Sequence, residues 1–314
     1  MLARVANNLF WMGRYIERSE HIARYLNVNY FSSLDAPNEQ SQSRQFVLKS
    51  MRYMLGEQTN ESELLKEEET LYDIGLNPER HYSIISNVKA VRENANSARD
   101  LISTELYESI NKFYHFVLNY DVQLFVKKGL YDFTVNITEK SAILRGKIRA
   151  SLLHDEVYAI IMMGINIERA TQVIRITNAK YHDATIARDS LEEHIAYSFE
   201  WTTLLKCAEA YDMMRRNYKK PPTIISTLEF VILNPDCPRS VMNSLDQICK
   251  HVHVLDKTKR PKKNSTAFLV GKLRAEFQYM KVEEIETDVQ GFIARILNKL
   301  FEISKQMEDE FFKF

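Results

Sequence analysis

Apolar residues recur along most of this chain at the spacing of a helix. Leu9, Met12 and Ile16 lie three or four residues apart, and the pattern continues to predict a first long helix over about 3–30. No run alternates apolar and polar residues over the length of a strand. The pattern predicts an all-α fold, a helical bundle. Further helices are predicted at about 44–55, 61–74, 78–106, 109–127, 138–152, 155–179, 185–217, 223–233, 239–254, 265–280 and 283–312.

A short motif occurs twice, about half a chain apart. The segment 12–18, MGRYIER, has a counterpart in 163–169, MGINIER. A second match pairs 84–97 with 231–244 at nearly the same separation. We therefore predict an internal duplication within a single domain over 1–314, with halves of about 1–153 and 154–314 that pack about a pseudo-twofold axis.

Charged residues of the repeated motif share one face of each predicted helix. At 100° per residue, the residues Arg14, Glu17, Arg18, His21 and Arg24 fall on one arc of the first helix. The second copy carries Glu168, Arg169, Gln172 and Arg175 on the corresponding arc. The polarity pattern is repeated together with the motif.

Composition restricts the class of protein. The 314 residues have a formal net charge of zero, which gives no general attraction to nucleic acid or to an anionic membrane. The basic stretch 257–263 is predicted to be a solvated loop. The three cysteines form no C-x-x-C pair, and we find neither a signal peptide nor a membrane span. A cytoplasmic protein with reduced thiols and no nucleic-acid or membrane partner is predicted.

Common catalytic motifs are missing from the sequence. The eight histidines form no H-E-x-x-H pattern, and the helical glutamates lack the paired Glu-x-x-His pattern of a di-iron bundle. There is no phosphate-binding glycine loop, G-x-S-x-G elbow or dinucleotide fingerprint. We therefore predict neither a metal nor a cofactor.

The opening segment 8–20, NLFWMGRYIERSE, resembles the start of bacterial alpha-E proteins, helical proteins with Glu-Arg motifs. Segments 91–95, 99–100, 167–170, 200–201 and 238–241 resemble later motifs of that family, so the similarity covers nearly the whole chain. The chain departs from many relatives at Ile165, where they have arginine. The resemblance implies partners such as circularly permuted ATP-grasp-like and transglutaminase-like proteins, and a role in making or modifying a peptide.

Several hypotheses for the charged faces remain open. The leading one is an accessory component that binds an anionic peptide or small molecule in an Arg/Glu pocket. An alternative is an amide-forming transferase or hydrolase with Glu17 as general base. Others are a structural, buried Glu-Arg network and a merely solvated face. Whether the chain is an enzyme is left undecided. The candidate ligand-binding residues are Arg14, Arg18, His21, Arg92, Glu93, Arg99, Glu168, Arg169 and Arg239.

Overall fold

A computed structural model shows that the chain folds into helices. The structure describes residues 2–33, 43–58, 60, 62–188, 193–258 and 260–312, and no strand occurs among them. The helices are α1 (Ala3–Ser32), α2 (Arg44–Met54), α3 (Glu67–Gly75), α4 (Ile84–Ser97), α5 (Thr104–Leu118), α6 (Val122–Leu124), α7 (Leu130–Ser151), α8 (Glu156–Arg188), α9 (Glu193–Cys207), α10 (Tyr211–Tyr218), α11 (Ile224–Leu228), α12 (Val241–Leu255), α13 (Thr266–Tyr279), α14 (Val282–Glu286) and α15 (Val289–Met307). The all-α prediction is confirmed.

The two longest helices lie at the centre of the fold. Helix α1 packs along α8, and each is covered by further helices: α4, α7 and α9 contact α1, whereas α12, α9 and α15 contact α8. Both helices are buried on more than one side, with residues such as Leu9, Ile16 and Ile167 almost fully shielded from solvent. Polar residues on a helix that is buried on several sides are buried with it, and they must find partners inside the protein.

Two glycines allow α1 and α8 to approach closely. A methyl group on Gly13 would collide with the carbonyl oxygen of Ile161, and one on Gly164 would collide with that of Phe10. The contacts are reciprocal, because Phe10 precedes Gly13 by the same three residues by which Ile161 precedes Gly164. Glycine in a helix interior costs about 1 kcal/mol relative to alanine, and the close crossing is its compensation here.

Some helix boundaries differ from the sequence-based predictions. The region predicted as one helix over 185–217 contains α9 and α10, separated at Glu209, which has a positive φ of 55°. Residues 189–192 of that prediction lie outside the described residues. The gap predicted between the helices over 109–127 and 138–152 is largely helical, because a π-helical turn at Phe125–Gly129 leads directly into α7. The side chain of Ser103 caps α5, so the helix predicted to run through this point is broken there.

The second sequence match was paired in the wrong register. Segment 84–87 is the first turn of α4, whereas 231–234 ends a π-helical turn ahead of α12. The structural counterparts are two Asn-Pro turns, at 77–78 and 234–235, which lead to the capping serines Ser83 and Ser240. These similar turns support the predicted duplication, but the duplication, its pseudo-twofold axis and the division near residue 153 remain predictions.

Candidate functional site

The two Glu-Arg motifs pair with each other across the contact of α1 and α8. Arg169 donates to both carboxylate oxygens of Glu17, with Nε to Oε1 at 2.6 Å and Nη2 to Oε2 at 3.0 Å. Arg18 donates to Glu168 with the same atoms at the same two distances. Both carboxylates are completely buried. Each helix therefore supplies the acid of one bidentate pair and the base of the other.

Each carboxylate has a further hydrogen-bond donor one helical turn along its own helix. His21 Nε2 lies 3.2 Å from Glu17 Oε1, and Gln172 Nε2 donates to Glu168 Oε1 at 2.7 Å. Because ionised Glu17 can only accept hydrogen bonds, the ring proton of His21 belongs on Nε2. Both donors are four residues beyond their glutamate, so the correspondence extends past the Glu-Arg pair.

The end of the cluster around Glu17 is rich in acids and bases from five parts of the chain. Arg239, from the turn before α12, donates to Glu17 Oε1 at 3.3 Å and to Glu20 Oε1 at 2.9 Å. Arg145 of α7 also pairs with Glu17 and Glu20. Arg24 pairs with Glu20 and with Glu209, whose side chain is about half exposed. Acids and bases are nearly balanced at this end.

The end around Glu168 carries more arginine than acid. Arg14 donates to Glu168 Oε2 at 2.8 Å and to the Ser304 hydroxyl at 2.9 Å. Exposed Arg175 also acts electrostatically on this group, but it has no ion pair within 4.0 Å among the described residues. In the first motif the equivalent Arg24 has the acid Glu20 four residues before it, whereas Arg175 has Thr171. We call Arg14, Arg18 and Arg175 the arginine rim.

Pairing keeps both central glutamates ionised. Burial alone opposes the charge of Glu17, but Arg169 and the hydrogen bond from His21 outweigh it and lower the pKa well below its usual value. Burial likewise opposes the charge of Glu168, and Arg18 and Arg14 lower its pKa far below normal. An ionised, fully bonded carboxylate is a weak proton acceptor near neutral pH. These properties oppose a general-base role for Glu17.

Burial also lowers the pKa of several bases in the cluster. Burial lowers the pKa of His21 to about 4, and the nearby Arg24 and Arg239 act in the same direction. Burial also lowers the pKa of Arg24 and that of Arg145 to about 10. Although Arg175 is exposed, its guanidinium lies near enough to the protein interior for desolvation, with Arg18 and Arg14, to lower its pKa. Positive charge is therefore less favourable on these four residues than in water. Arg18 differs, because burial opposes its charge but Glu168 outweighs this effect and raises its pKa.

The predicted site residues separate into two groups. The structure brings together Arg14, Glu17, Arg18, His21, Glu168, Arg169 and Arg239. The hypothesis of a solvated face is wrong for these residues, because Glu17, His21 and Glu168 have no exposed surface. Whether the group binds a ligand remains a prediction.

The other three predicted residues lie outside this group. Arg92 donates to Asn111 at 2.9 Å and lies over the ring of Tyr114 on α5. Arg99 donates to the Ile102 carbonyl and lies over the Tyr107 ring. Glu93 is exposed. The structure does not bring these three residues into the Glu-Arg cluster.

Sequence reasoning missed several members of the cluster. Arg145 lies on α7 in a segment with no recognisable motif, so no local signal distinguishes it from a surface arginine. Glu209 and Ser304 likewise join the cluster only through tertiary packing. Glu20 lies four residues before Arg24, which is the spacing of an ordinary ion pair on a solvated helix face, so its sequence context does not distinguish it. Its complete burial follows from the packing of helices on several sides of α1.

A second buried polar group lies farther along α8. Lys180 Nζ donates to Asp183 Oδ2 at 2.7 Å and to Glu200 Oε2 at 3.0 Å. Ser50 Oγ donates to the same Asp183 oxygen at 2.5 Å. Burial opposes the charge of Lys180, but Asp183 and Glu200 raise its pKa well above the usual value. Lys180 therefore remains an ammonium group.

Comparison with known proteins agrees with the paired motif. A family model described as a predicted alpha-helical domain with a conserved ER motif matches residues 1–312. This chain belongs to the Alpha-E family. The two E-R sequences at 17–18 and 168–169 are the groups that pair across α1 and α8. In this Alpha-E chain the motif joins two long helices.

Relatives of this Alpha-E chain occur in mycobacteria. Proteins of Mycobacterium tuberculosis and Mycobacterium bovis, each described as uncharacterised, are 21% identical to it over 272 residues. The alignment covers 78% of this chain but only 29% of each relative. The chain thus spans about three tenths of the length of these relatives. No solved structure matches it significantly.

Among the described residues, no group of histidine, cysteine and acidic side chains is arranged to hold a metal ion. None of the described helices combines the length and the apolar character needed to cross a bilayer. The three cysteines are free thiols, two of them buried. Burial raises the pKa of the Cys207 thiol to about 12, so it is a poor nucleophile.

Proposed function

We propose that this Alpha-E chain is a binding component that holds an anionic, peptide-like ligand at the arginine rim. The observation that carries the proposal is the excess of guanidinium groups over carboxylates there. Arg14, Arg18 and Arg175 act on Glu168, one buried carboxylate. A carboxylate or phosphate of the ligand supplies the missing negative charge.

Hydrogen-bond donors are available at the rim. Arg18 uses Nε and Nη2 on Glu168, which leaves Nη1 without an acceptor among the described residues. Arg14 donates hydrogen bonds from Nε and Nη1. Arg175 donates none to any residue that the structure describes. The side chains of Arg14 and Arg18 are 12% and 21% exposed. These donors can therefore reach a ligand without breaking the buried pairs.

The buried pairs themselves have an architectural role in this proposal. Glu168 orients Arg18 and Arg14, and it does so from a fully buried position. An arginine fixed by such a bond loses less side-chain entropy when it binds an anion. The proposal thus combines a structural Glu-Arg network with a binding surface at one end of it.

The wider setting is also part of the proposal. We propose that the chain works in the cytoplasm as an accessory component of an ATP-grasp-associated system that ligates or modifies peptides, together with a transglutaminase-like protein. The family resemblance supports this setting.

The binding step is tested by isothermal titration calorimetry with two acetylated dipeptides. The first, N-acetyl-Glu-Glu, carries three carboxylates, and the second, N-acetyl-Gln-Gln-amide, carries none. We expect binding of the first only, with an affinity that falls as salt is raised. Arg175→Gln is expected to weaken binding about five- to tenfold, since the contact of a partly screened charge contributes about 1 kcal/mol.

Arg149→Gln provides the matched control, because Arg149 is an exposed arginine on α7. It is expected to bind the acidic dipeptide as the wild type does. Equal binding of both dipeptides, or equal affinities for wild type and Arg175→Gln, would refute the arginine rim as the binding surface.

A further inference from the structure

Two half-buried aromatic side chains lie beside the arginine rim on α1. Trp11 and Tyr15 are one helical turn apart, and their ring centroids are separated by 5.4 Å. Each ring has a guanidinium group of the rim over it. The Arg14 guanidinium carbon lies 4.4 Å from the Trp11 centroid, and that of Arg18 lies 5.4 Å from the Tyr15 centroid. We call Trp11 and Tyr15 the aromatic pair.

The aromatic pair and the arginines share one narrow strip of the surface of α1. Residues 11, 14, 15 and 18 recur at helical spacing, and all four are half-buried, whereas residues 12, 13, 16 and 17 are buried. The strip therefore consists of two rings and two guanidinium groups. Part of each ring remains in contact with water, and covering this surface with another apolar group is favourable.

The charge beside the aromatic pair is positive. Among the described residues, Glu168 is the one acid that pairs with Arg14 or Arg18, and it is completely buried. Three acids begin the π-helical turn Glu308–Phe312, which also packs on α1, but none of them pairs with either arginine. The strip therefore suits a molecule that has an apolar ring and a negative charge close together.

The distances suit neighbouring groups of one peptide. The guanidinium carbons lie 4.4 and 5.4 Å from the ring centroids, and successive Cα atoms of a peptide are about 3.8 Å apart. An aromatic side chain next to a carboxylate can therefore contact the rings while the carboxylate binds a guanidinium group. Guanidinium planes also stack on aromatic rings, so the arginines add to the surface on which such a side chain packs.

We propose that the ligand of the arginine rim is an acidic peptide with an aromatic side chain beside its carboxylate, and that Trp11 and Tyr15 bind this side chain. This inference rests on the proposed function and specifies its ligand. Arg14 and Arg18 bind the carboxylate, and the aromatic pair selects an aromatic neighbour over a small one.

Calorimetric titration of the full chain with two dipeptides of equal charge tests this selectivity. N-acetyl-Glu-Phe and N-acetyl-Glu-Ala each carry two carboxylates and differ only by a phenyl ring. We expect the phenylalanine dipeptide to bind about five- to tenfold more tightly. N-acetyl-Glu-Leu, which is apolar but not aromatic, should bind within about threefold of the alanine dipeptide. A leucine dipeptide that binds as tightly as the phenylalanine dipeptide would overturn the aromatic selectivity.

Trp11→Leu locates the selectivity. It removes a ring but keeps an apolar side chain with a good helix propensity. We expect the preference for the phenylalanine dipeptide over the alanine dipeptide to fall below about twofold. The alanine dipeptide should bind the variant as it binds the wild type, because Glu168 still holds Arg14 and Arg18. If Trp11→Leu does not fold, Tyr15→Leu provides the same test.

Tyr114→Leu is the matched control. Tyr114 is another half-buried ring with an arginine over it, since Arg92 lies 4.6 Å from its centroid, outside the Glu-Arg cluster. This variant should keep the full preference for the phenylalanine dipeptide. If the rings of the aromatic pair had only a structural role, their removal would weaken the binding of both dipeptides alike, and an unchanged ratio would overturn the inference.

Tryptophan fluorescence provides a second measurement. The chain has two tryptophans, and the other one, Trp201, is completely buried. N-acetyl-Glu-Phe should shift the emission of the wild type to shorter wavelength, because its ring covers Trp11, and it should cause no shift in Trp11→Leu. A shift that persists in Trp11→Leu would place the contact elsewhere and overturn the inference.

Failure of this inference and failure of the proposed function give separate results. Equal affinities of the wild type for the phenylalanine and alanine dipeptides would overturn the aromatic selectivity and leave the arginine rim as an anion site. The absence of binding for both dipeptides and for N-acetyl-Glu-Glu would overturn the proposed function as well.

Discussion

At the scale of single residues, a buried carboxylate is stable only if the protein replaces its lost hydration. Glu17 receives hydrogen bonds from Arg169, His21 and Arg239, and its two oxygens are both bonded. Removing one member of such a group leaves the others buried without a partner. The effect of a substitution is therefore larger than the value of any single contact.

Glu17→Gln is expected to destabilise the fold by about 3–5 kcal/mol, because it leaves guanidinium groups buried without their counter-charge. Urea unfolding followed by circular dichroism measures the change. Glu93→Gln is the control, and as an exposed substitution it should stay within about 0.5 kcal/mol of wild type. A Glu17 variant as stable as this control would show that the pair contributes little.

The pH dependence of stability should contain a contribution from His21. Its pKa is about 4 in the folded protein and 6.5 in its ordinary state, so between these values the unfolded chain binds more protons. Stability from this group is fully present above about pH 6.5 and is lost as the pH falls towards 4. His251, also lowered to about 4 by burial, acts with the same sign.

His21→Gln is expected to reduce this loss of stability, because glutamine donates to the carboxylate without titrating. Gln172 already fills the equivalent place beside Glu168. Urea midpoints at pH 7, 6, 5 and 4.5 provide the comparison. His81→Gln, at an exposed position, is the control. An unchanged pH profile in the His21 variant would mean that His21 does not supply the contribution.

At the scale of helices, the pairing depends on how closely α1 approaches α8. Gly13 and Gly164 bring the backbones together, and the Glu-Arg residues one turn later then reach across. The backbone carbonyls that face the two glycines cannot move aside as a flexible side chain could. Neither glycine has room for a methyl group.

Gly13→Ala is expected to destabilise the fold by about 1–3 kcal/mol or more through overpacking. Gly146→Ala is the control, and its expected effect has the opposite sign, because a methyl group there meets no neighbouring atom. That substitution in α7 should stabilise the protein by about 0.5–1 kcal/mol. Differential scanning calorimetry of both variants measures the contrast, and a shift of the same sign and size in both would contradict the close-crossing account.

The sequence predicts the helices better than it predicts the cluster. Apolar spacing identifies α1 and α8, because a helix must place its apolar residues at helical intervals. It also places Glu17 and Glu168 on matching faces. It does not identify Arg145 or Ser304, since these reach the cluster only through the packing of α7 and α15. The pairing of Glu17 with Arg169, and of Glu168 with Arg18, depends on contact between two helices, so neither motif predicts it by itself.

At the scale of the whole molecule, the two motifs are unequal. Relative to the first motif, the second has Ile165 in place of Arg14 and Thr171 in place of Glu20. The first change removes an arginine near Glu17, where Arg239 and Arg145 provide the positive charge. The second leaves Arg175 without its acid. These differences leave an excess of positive charge at the end around Glu168, whereas acids and bases are nearly balanced at the end around Glu17.

The central claim of this account is that reciprocal Glu-Arg pairs join α1 to α8. A double-mutant cycle between Glu17→Gln and Arg169→Gln, measured by urea unfolding, tests it most directly. The account predicts a coupling energy of about 2–3 kcal/mol for this pair, and additivity within about 0.5 kcal/mol for Glu17→Gln with Arg92→Gln. Additive effects of the Glu17 and Arg169 substitutions would contradict it.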